Sequence, residues 1–175
     1  PLTVGGGIKS ISDVDEILKS GADKIAINTQ AFKNRSLIKN LVDKYGSQQI
    51  VISVDYKKIK NDLFCFSESG KVNTGIKLFD WLEEIQKLNI GEIILCSIDN
   101  DGMMDGYDIK TLKQIIKSIE VPLIISGGAG SKKDILEAFE VGASAVSVSS
   151  LFHFTEVTPK EIKEYLKKNE IPVRL

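Results

Sequence analysis

Two glycine-rich segments, VGGGI at Val4 to Ile8 and SGGAG at Ser126 to Gly130, share one pattern and constrain the fold of this 175-residue chain most strongly. Pro1 aligns with Pro122 without a gap, an offset of 121 positions. The matching pairs include Leu2 with Leu123, Gly6 with Gly127, Gly7 with Gly128, Asp13 with Asp134, Gly21 with Gly142, Asn28 with Ser149 and Thr29 with Ser150. This internal repeat predicts two copies of a strand, turn, helix, strand module.

Each module combines a glycine turn with short polar side chains at the tip of its second strand. If each turn lies at a helix start, unpaired backbone amides and the helix dipole favour an anion such as phosphate there. Two modules therefore predict two phosphate sites and a substrate with a phosphate at each end. The alternative is that the glycines only permit tight turns and close helix packing.

Apolar strand patterns alternate with amphipathic helix patterns along the chain, and the first helix is predicted to start at Ser12. Strands are predicted at Leu2–Val4, Lys24–Ile27, Ile50–Val54, Glu92–Ser97, Val121–Ile125 and Ala145–Val148, and a small hairpin over Tyr56–Thr74 has Ser69-Gly70 in its turn. Such alternation predicts an α/β fold with a parallel sheet. Polar residues at the strand tips favour a (βα)8 TIM barrel over an open sheet.

The predicted barrel is a single domain over residues 1–175 that contains six βα units. A complete barrel has eight units and about 250 residues. At the repeat offset, the counterpart of Asp55 would precede Pro1, so the two missing units are expected at the N-terminal end. Six units would leave two strand edges exposed unless another segment or chain covers them.

The composition argues against several classes of protein. The 23 Lys and Arg nearly balance the 24 Asp and Glu, so neither nucleic acid nor an acidic membrane surface is an expected partner. Cys65 and Cys96 are too few for a disulfide framework or a zinc cluster. No apolar run reaches the roughly 18 residues of a membrane-spanning helix. We therefore expect a soluble protein of the reducing cytoplasm that uses no cofactor.

Asp55 follows the apolar run Ile50–Val54 and is predicted to lie at the tip of a buried strand. Partial burial there raises a carboxyl pKa toward a value useful for acid or base catalysis. The alternative is a helix cap or an ion pair with Lys57 or Lys58. We favour catalysis, because the chemistry of TIM barrels collects at the strand tips.

Asp99 and Asp101 flank the tip of the next strand, just before Gly102. One of them is expected to position the substrate and the other to cap the turn, and we favour Asp101 for the substrate. Together with Asp55 they could suggest a magnesium site. Their spacing matches no metal-ligand motif, and phosphates held by amides need no metal.

The motifs VGGGI, ADKIAINT, YGSQ, VDYKK, GEIILCSIDNDG, GYD, ISGGAGS and LFHF together resemble the cyclase subunit of imidazole glycerol phosphate synthase. The resemblance runs from Pro1 to Leu175 and covers the third to eighth βα units of that family. It implies a barrel that takes ammonia from a glutaminase partner. The implied substrate is a bisphosphorylated ribulosyl-formimino aminoimidazole carboxamide ribonucleotide, and the implied products are imidazole glycerol phosphate and aminoimidazole carboxamide ribonucleotide, in histidine biosynthesis.

The resemblance also implies roles for individual residues. Asp55 resembles one of two catalytic aspartates, the other of which belongs to the first strand of the family, and Asp101 resembles an acidic residue beside the substrate. Gly7, Asn28 and Thr29 match one phosphate site, and Gly102, Ser126, Gly127, Gly128, Ser149 and Ser150 match the other. Lys24 and Glu92 resemble members of a charged gate for ammonia, with Asp23 and Gln48 on the glutaminase-facing surface.

Two departures from the family pattern keep other functions open. Cys96 stands where threonine is common, and Met103-Met104 replaces a Thr-Lys pair. The alternatives are a cyclase-like paralogue used in sugar amidino modification, the bisphosphate-binding isomerase of the same pathway, and an inactive barrel fragment. Without a first strand, the chain alone is expected to be inactive.

Overall fold

A parallel sheet forms the centre of the fold in a computed structural model, which describes residues 1–174. The strands are β1 Thr3–Gly5, β2 Lys24–Ile27, β3 Ile50–Ile59, β4 Asp62–Ser67, β5 Val72–Lys77, β6 Glu92–Ser97, β7 Leu123–Ser126 and β8 Ala145–Val146. Strands β1, β2, β3, β6, β7 and β8 lie side by side in that order, all parallel. Strands β4 and β5 form an antiparallel hairpin on the extended end of β3. The predicted α/β fold with a parallel sheet is confirmed.

Helices connect the parallel strands, and two more follow the last strand. They are α1 Ile11–Lys19, α2 Thr29–Lys33, α3 Arg35–Tyr45, α4 Leu78–Gln86, α5 Ile109–Ile115, α6 Lys132–Val141, α7 Ser150–Phe154 and α8 Pro159–Lys168. The prediction that α1 starts at Ser12 was wrong, because Ser10 caps it and its hydroxyl accepts a hydrogen bond from the Asp13 amide. Helices α2 and α7 were not predicted, because five residues are too few to show a helical period.

The repeat seen in the sequence is also present in the strand pairing. Thr3 pairs with Lys24, and Ile124 pairs with Ala145, so both pairs are related by the same 121-residue offset. Helices α1 and α6 start at equivalent serines, and α2 and α7 follow equivalent strand tips. The two modules therefore have the same local architecture.

The core lies between the sheet and its helices. Central strand β3 is fully buried at Ile50 and Ile52, as expected for a parallel strand covered on both faces. On α4, Trp81 is fully buried and stacks on Phe32 at 4.4 Å between ring centroids. The carboxyl ends of the parallel strands share one edge of the sheet. Ser97 and Ser126 end β6 and β7 there, and Asn28 directly follows β2. Among residues 1–174, no helix combines the length and the apolar character needed to cross a membrane.

Candidate active site

Three neighbouring cavities follow the carboxyl edge of the parallel sheet. The first cavity, of about 580 Å³, lies between the glycine turn after β1 and the tip of β2. The central cavity, of about 440 Å³, lies beside Asp55 of β3 and the end of β6. The prediction that Asp55 lies at a strand tip was wrong, because β3 continues to Ile59 by pairing with β4, which leaves Asp55 within the strand. The second cavity, of about 20 Å³, lies between the glycine turn after β7 and the residues after β8. The two repeated modules thus place one cavity at each end of the row.

The predicted phosphate residues line the two end cavities. Gly7, Asn28 and Thr29 border the first cavity. Gly102, Ser126, Gly127, Gly128, Ser149 and Ser150 border the second cavity. The structure therefore brings each predicted set together, although the members of each set come from separate loops.

Asp55 and Asp101 connect the three cavities. Asp55 borders both the first and the central cavity, and Asp101 borders both the central and the second cavity. Asp99 borders none of the three; its carboxylate accepts a hydrogen bond from the Lys58 amide at 2.9 Å and lies 3.8 Å from the Lys57 ammonium. Asp99 thus contacts two lysines of β3, whereas Asp101 lines the cavities.

The surroundings of Asp55 favour its protonated form. Burial raises the pKa of Asp55 above its ordinary value, hydrogen bonding by Asn28 opposes this rise, and the negative charge of Asp101 adds to it. Desolvation disfavours a carboxylate because the charged form loses more solvation than the neutral form. Asp55 is therefore a carboxyl whose proton is held more tightly than usual, on the wall of two cavities.

The helix starts after the glycine turns do not offer the anion site that the sequence predicted. Asp13 Oδ2 accepts hydrogen bonds from the amides of Lys9 and Ser10 at 2.7 and 2.9 Å, and Asp134 Oδ2 accepts one from Gly130 at 3.0 Å. Each helix start thus already holds its own carboxylate, so that part of the prediction was wrong. Gly6 and Gly7 lie five and four residues before α1, and Gly127 and Gly128 lie five and four residues before α6, beside the cavities.

Two features of the first cavity were missed by the sequence analysis. Asn28 Oδ1 is buried and has no hydrogen-bond partner among the described residues, so a ligand hydroxyl or amine could satisfy it. The turn between β4 and β5 contributes Glu68 and Ser69 to the cavity wall. The pairing of a distant hairpin with the tip of β2 leaves no periodic signal in the sequence.

Lys24 and Glu92 lie at the opposite edge of the sheet. They begin strands β2 and β6, and their side chains form an ion pair. Nearby, the Asp23 carboxylate accepts a hydrogen bond from the Leu2 amide at 2.7 Å. The two residues that resemble the charged gate are therefore adjacent in space.

Comparison with known proteins identifies the family. A model of a family described as histidine biosynthesis protein matches residues 1–158. The imidazole glycerol phosphate synthase subunit HisF of Sulfolobus acidocaldarius is 47% identical over 175 residues, which are 100% of this chain and 70% of that protein. The chain belongs to the HisF family. The HisF subunits of Thermotoga sp. (strain RQ2) and Dictyoglomus thermophilum are 45% and 47% identical and are covered over 69% and 70% of their lengths. The resemblance inferred from the motifs is confirmed.

Cys96 and Met104, two of the residues that the sequence analysis set apart from the family pattern, lie at the site. Cys96 borders the central cavity, and Met104 borders the second cavity. Burial raises the pKa of Cys96 to about 11, and the charges of Asp101 and Asp55 add to the rise, so the thiol stays protonated near neutral pH and is a poor nucleophile. Within residues 1–174, no group of three or more His, Cys, Asp or Glu side chains is arranged to hold a metal ion.

Proposed function

We propose that this chain carries the cyclase chemistry of imidazole glycerol phosphate synthase. In that reaction, ammonia and a bisphosphorylated ribulosyl-formimino aminoimidazole carboxamide ribonucleotide give imidazole glycerol phosphate and aminoimidazole carboxamide ribonucleotide. The observation that carries the proposal is the row of cavities, because it has a glycine turn at each end and carboxyl groups between them. An elongated substrate with two terminal phosphates matches that arrangement.

The two ends of the substrate would be held by different donors. At the first cavity, the amide of Gly7, the Asn28 side chain and the Thr29 hydroxyl are available to one phosphate. At the second cavity, the other phosphate would contact backbone amides of the Gly102 and Gly127–Gly128 turns, together with hydroxyls of Ser126, Ser149 and Ser150. Amides and hydroxyls suit this task because they donate hydrogen bonds to phosphate oxygens without requiring a metal.

Asp55 would transfer the proton that the chemistry requires. Ammonia adds to a substrate carbonyl, whose oxygen gains a proton while the nitrogen loses one. A carboxyl group with a raised pKa can donate the first proton and, once ionised, accept the second. Asp101, exposed on the far wall of the central cavity, would position the reacting chain and favour the positive charge that develops on nitrogen.

Ammonia from a glutaminase subunit would enter at the edge of the sheet opposite the cavities. The ion pair of Lys24 and Glu92 at that edge would form the gate for ammonia. Asp23 and Gln48 would face the glutaminase. A heterodimer of this kind would work in the cytoplasm, where the two free cysteines, Cys65 and Cys96, stay reduced. The proposed association is tested by measuring whether this chain stimulates glutamine hydrolysis by a HisF-associated glutaminase.

The sheet would correspond to the third to eighth units of an eight-unit barrel that forms one domain with this chain. Strands β1 and β8 are the two outer strands among the described parallel strands, and neither has a second parallel neighbour there. Closure of a barrel requires that both edges be paired. Two further βα units between β8 and β1 would complete the ring and bring a second carboxylate to the site.

Supplying those units is expected to switch on turnover. The chain alone should show no ammonia-driven formation of imidazole glycerol phosphate, whereas adding a polypeptide with the first two βα units of the Thermotoga HisF relative should restore it. Product formation is measured with ammonium salt as the nitrogen source. A polypeptide of the same length with scrambled sequence serves as the control. Isomerisation of a bisphosphorylated substrate without ammonia would contradict the proposal.

A further inference from the structure

The turn that joins β4 to β5, residues Glu68 to Lys71, is called the hairpin tip here. It lies over the first cavity, because Glu68 and Ser69 border that cavity together with Asn28 and Thr29. Glu68, Ser69 and Gly70 have φ angles of 54°, 58° and 75°. Two non-glycine residues in the left-handed region are unfavourable in isolation, so surrounding contacts hold the tip in place.

Two contacts hold the hairpin tip to helix α2. The Glu68 amide donates a hydrogen bond to Thr29 Oγ1 at 3.0 Å, and Lys33 Nζ lies 2.9 Å from Glu68 Oε1. The first contact uses a lone pair of the Thr29 oxygen. The hydroxyl hydrogen of Thr29 is therefore left to donate to a third group, and the cavity is where that group would lie.

Lys33 also borders the first cavity, so its ammonium group has two possible anionic partners. The side chains of Lys33 and Glu68 are 56% and 50% exposed. Ion pairs this exposed contribute little to stability and exchange easily. The hydrogen bond from the ammonium holds the pKa of Glu68 below its ordinary value, which favours the charged form of the carboxylate.

We infer that Lys33 is a phosphate-binding residue of the first cavity and that Glu68 occupies its ammonium group until an anion arrives. The bound anion would lie between Lys33, the Thr29 hydroxyl and the glycine turn at Gly6 and Gly7. A phosphate dianion carries more charge than a carboxylate, so it competes well for the same ammonium. The unpaired, buried Asn28 Oδ1 belongs to a residue on the same wall, but as an acceptor it suits a hydroxyl or amine of a ligand and not a phosphate oxygen. That the anion is the phosphate of a substrate rests on the proposed function; that the cavity binds phosphate does not.

The two partners of the ion pair are expected to affect anion binding in opposite directions. Inorganic phosphate is titrated into the full 175-residue chain, and the backbone amide signals of Gly6 and Gly7 are followed by NMR. Lys33→Ala should weaken binding at these amides about fivefold, because a cation is lost. Glu68→Gln should strengthen binding about threefold, because the competing carboxylate is lost. The amides of Gly127 and Gly128 report phosphate binding at the second cavity, and the affinity measured there should be the same in both variants as in the parent chain.

Lys87 and Glu83 provide the matched control. Glu83 lies on α4 and Lys87 directly follows that helix; they form an exposed ion pair at 2.7 Å and border none of the three cavities. Lys87→Ala and Glu83→Gln should leave phosphate binding unchanged. If Lys33→Ala and Glu68→Gln weaken binding equally, the pair only fastens the hairpin tip, and the inference is overturned. It is also overturned if neither variant changes binding.

Turnover in the complemented assay separates this inference from the proposed function. If Lys33→Ala weakens and Glu68→Gln strengthens phosphate binding but no imidazole glycerol phosphate forms, the role of Lys33 stands and the proposed reaction fails. If the substrate turns over normally but both variants bind phosphate like the parent chain, the reaction stands and the role of Lys33 fails.

Discussion

Asp55→Asn is expected to lower the kcat of ammonia-driven turnover by about a thousandfold in the complemented assay, a typical loss for a general acid–base group. Asparagine keeps the shape of the side chain and can still hydrogen-bond to Asn28, but it cannot transfer a proton. Because Asp55 forms part of the wall between two cavities rather than a phosphate site, the KM for the substrate should change much less than kcat.

The same substitution should not reduce the free energy of unfolding near neutral pH. The pKa of Asp55 is raised in the folded state, so the folded chain binds this proton more tightly than the unfolded chain. Stability therefore falls as the pH rises from the ordinary aspartate range through the raised pKa. Asparagine removes this loss, so urea unfolding should show the variant gaining on the parent chain between acidic and neutral pH.

Asp99→Asn is the matched control for the activity measurement. Asp99 belongs to the neighbouring strand tip and is held by Lys57 and Lys58, outside all three cavities. Its loss should change kcat by less than about threefold, the scale of a weak exposed interaction. Normal turnover by Asp55→Asn, or an equal loss in both variants, would remove Asp55 from its assigned role.

The repeat made much of the site predictable from the sequence. Gly7 and Gly128 are related by a fixed offset, and the polar residues that follow β2 and β8 have the same relation. Because parallel strands end at one edge of a sheet, residues at strand tips meet there wherever they lie in the chain. Asp55 and Asp101 could be placed near this edge because each follows a predicted parallel strand, and the structure puts both on the wall of the central cavity although β3 continues past Asp55.

Local hydrogen bonds were harder to foresee. The prediction of an anion at the helix starts did not consider that Asp13 and Asp134 fill those positions, although each stands three residues after a capping serine. The contact of Glu68 with Thr29 joins residues 39 positions apart through one backbone amide. Such a contact depends on the curvature of the hairpin, which neither composition nor periodicity records.

Gly128 and Gly7 occupy equivalent positions in the repeat, but their surroundings differ. Gly128 has a φ of +115°, and a Cβ there would overlap the carbonyl oxygen of Gly106 and lie 3.1 Å from the Asn100 Cβ. Gly7 has a φ of +70°, and a Cβ there would meet nothing within 4 Å. A side chain at Gly128 must therefore displace backbone, whereas one at Gly7 only has to adopt a left-handed conformation.

Gly128→Ala is accordingly expected to lower the free energy of unfolding by about 3 kcal/mol, since overpacking adds to the backbone cost. Gly7→Ala should lower it by about 1 kcal/mol, the left-handed penalty alone. Urea unfolding of both variants measures the difference.

Gly128→Ala should also move the loop that carries Asp101 and Gly102, because the Gly106 amide donates a hydrogen bond to the Gly128 carbonyl at 2.8 Å. Phosphate binding at the second cavity should then weaken about tenfold, the loss of one well-placed hydrogen bond to a charged group. Equal losses of stability in Gly128→Ala and Gly7→Ala would show that the loop after β6 moves aside at no cost. The second cavity would then not be a preformed anion site.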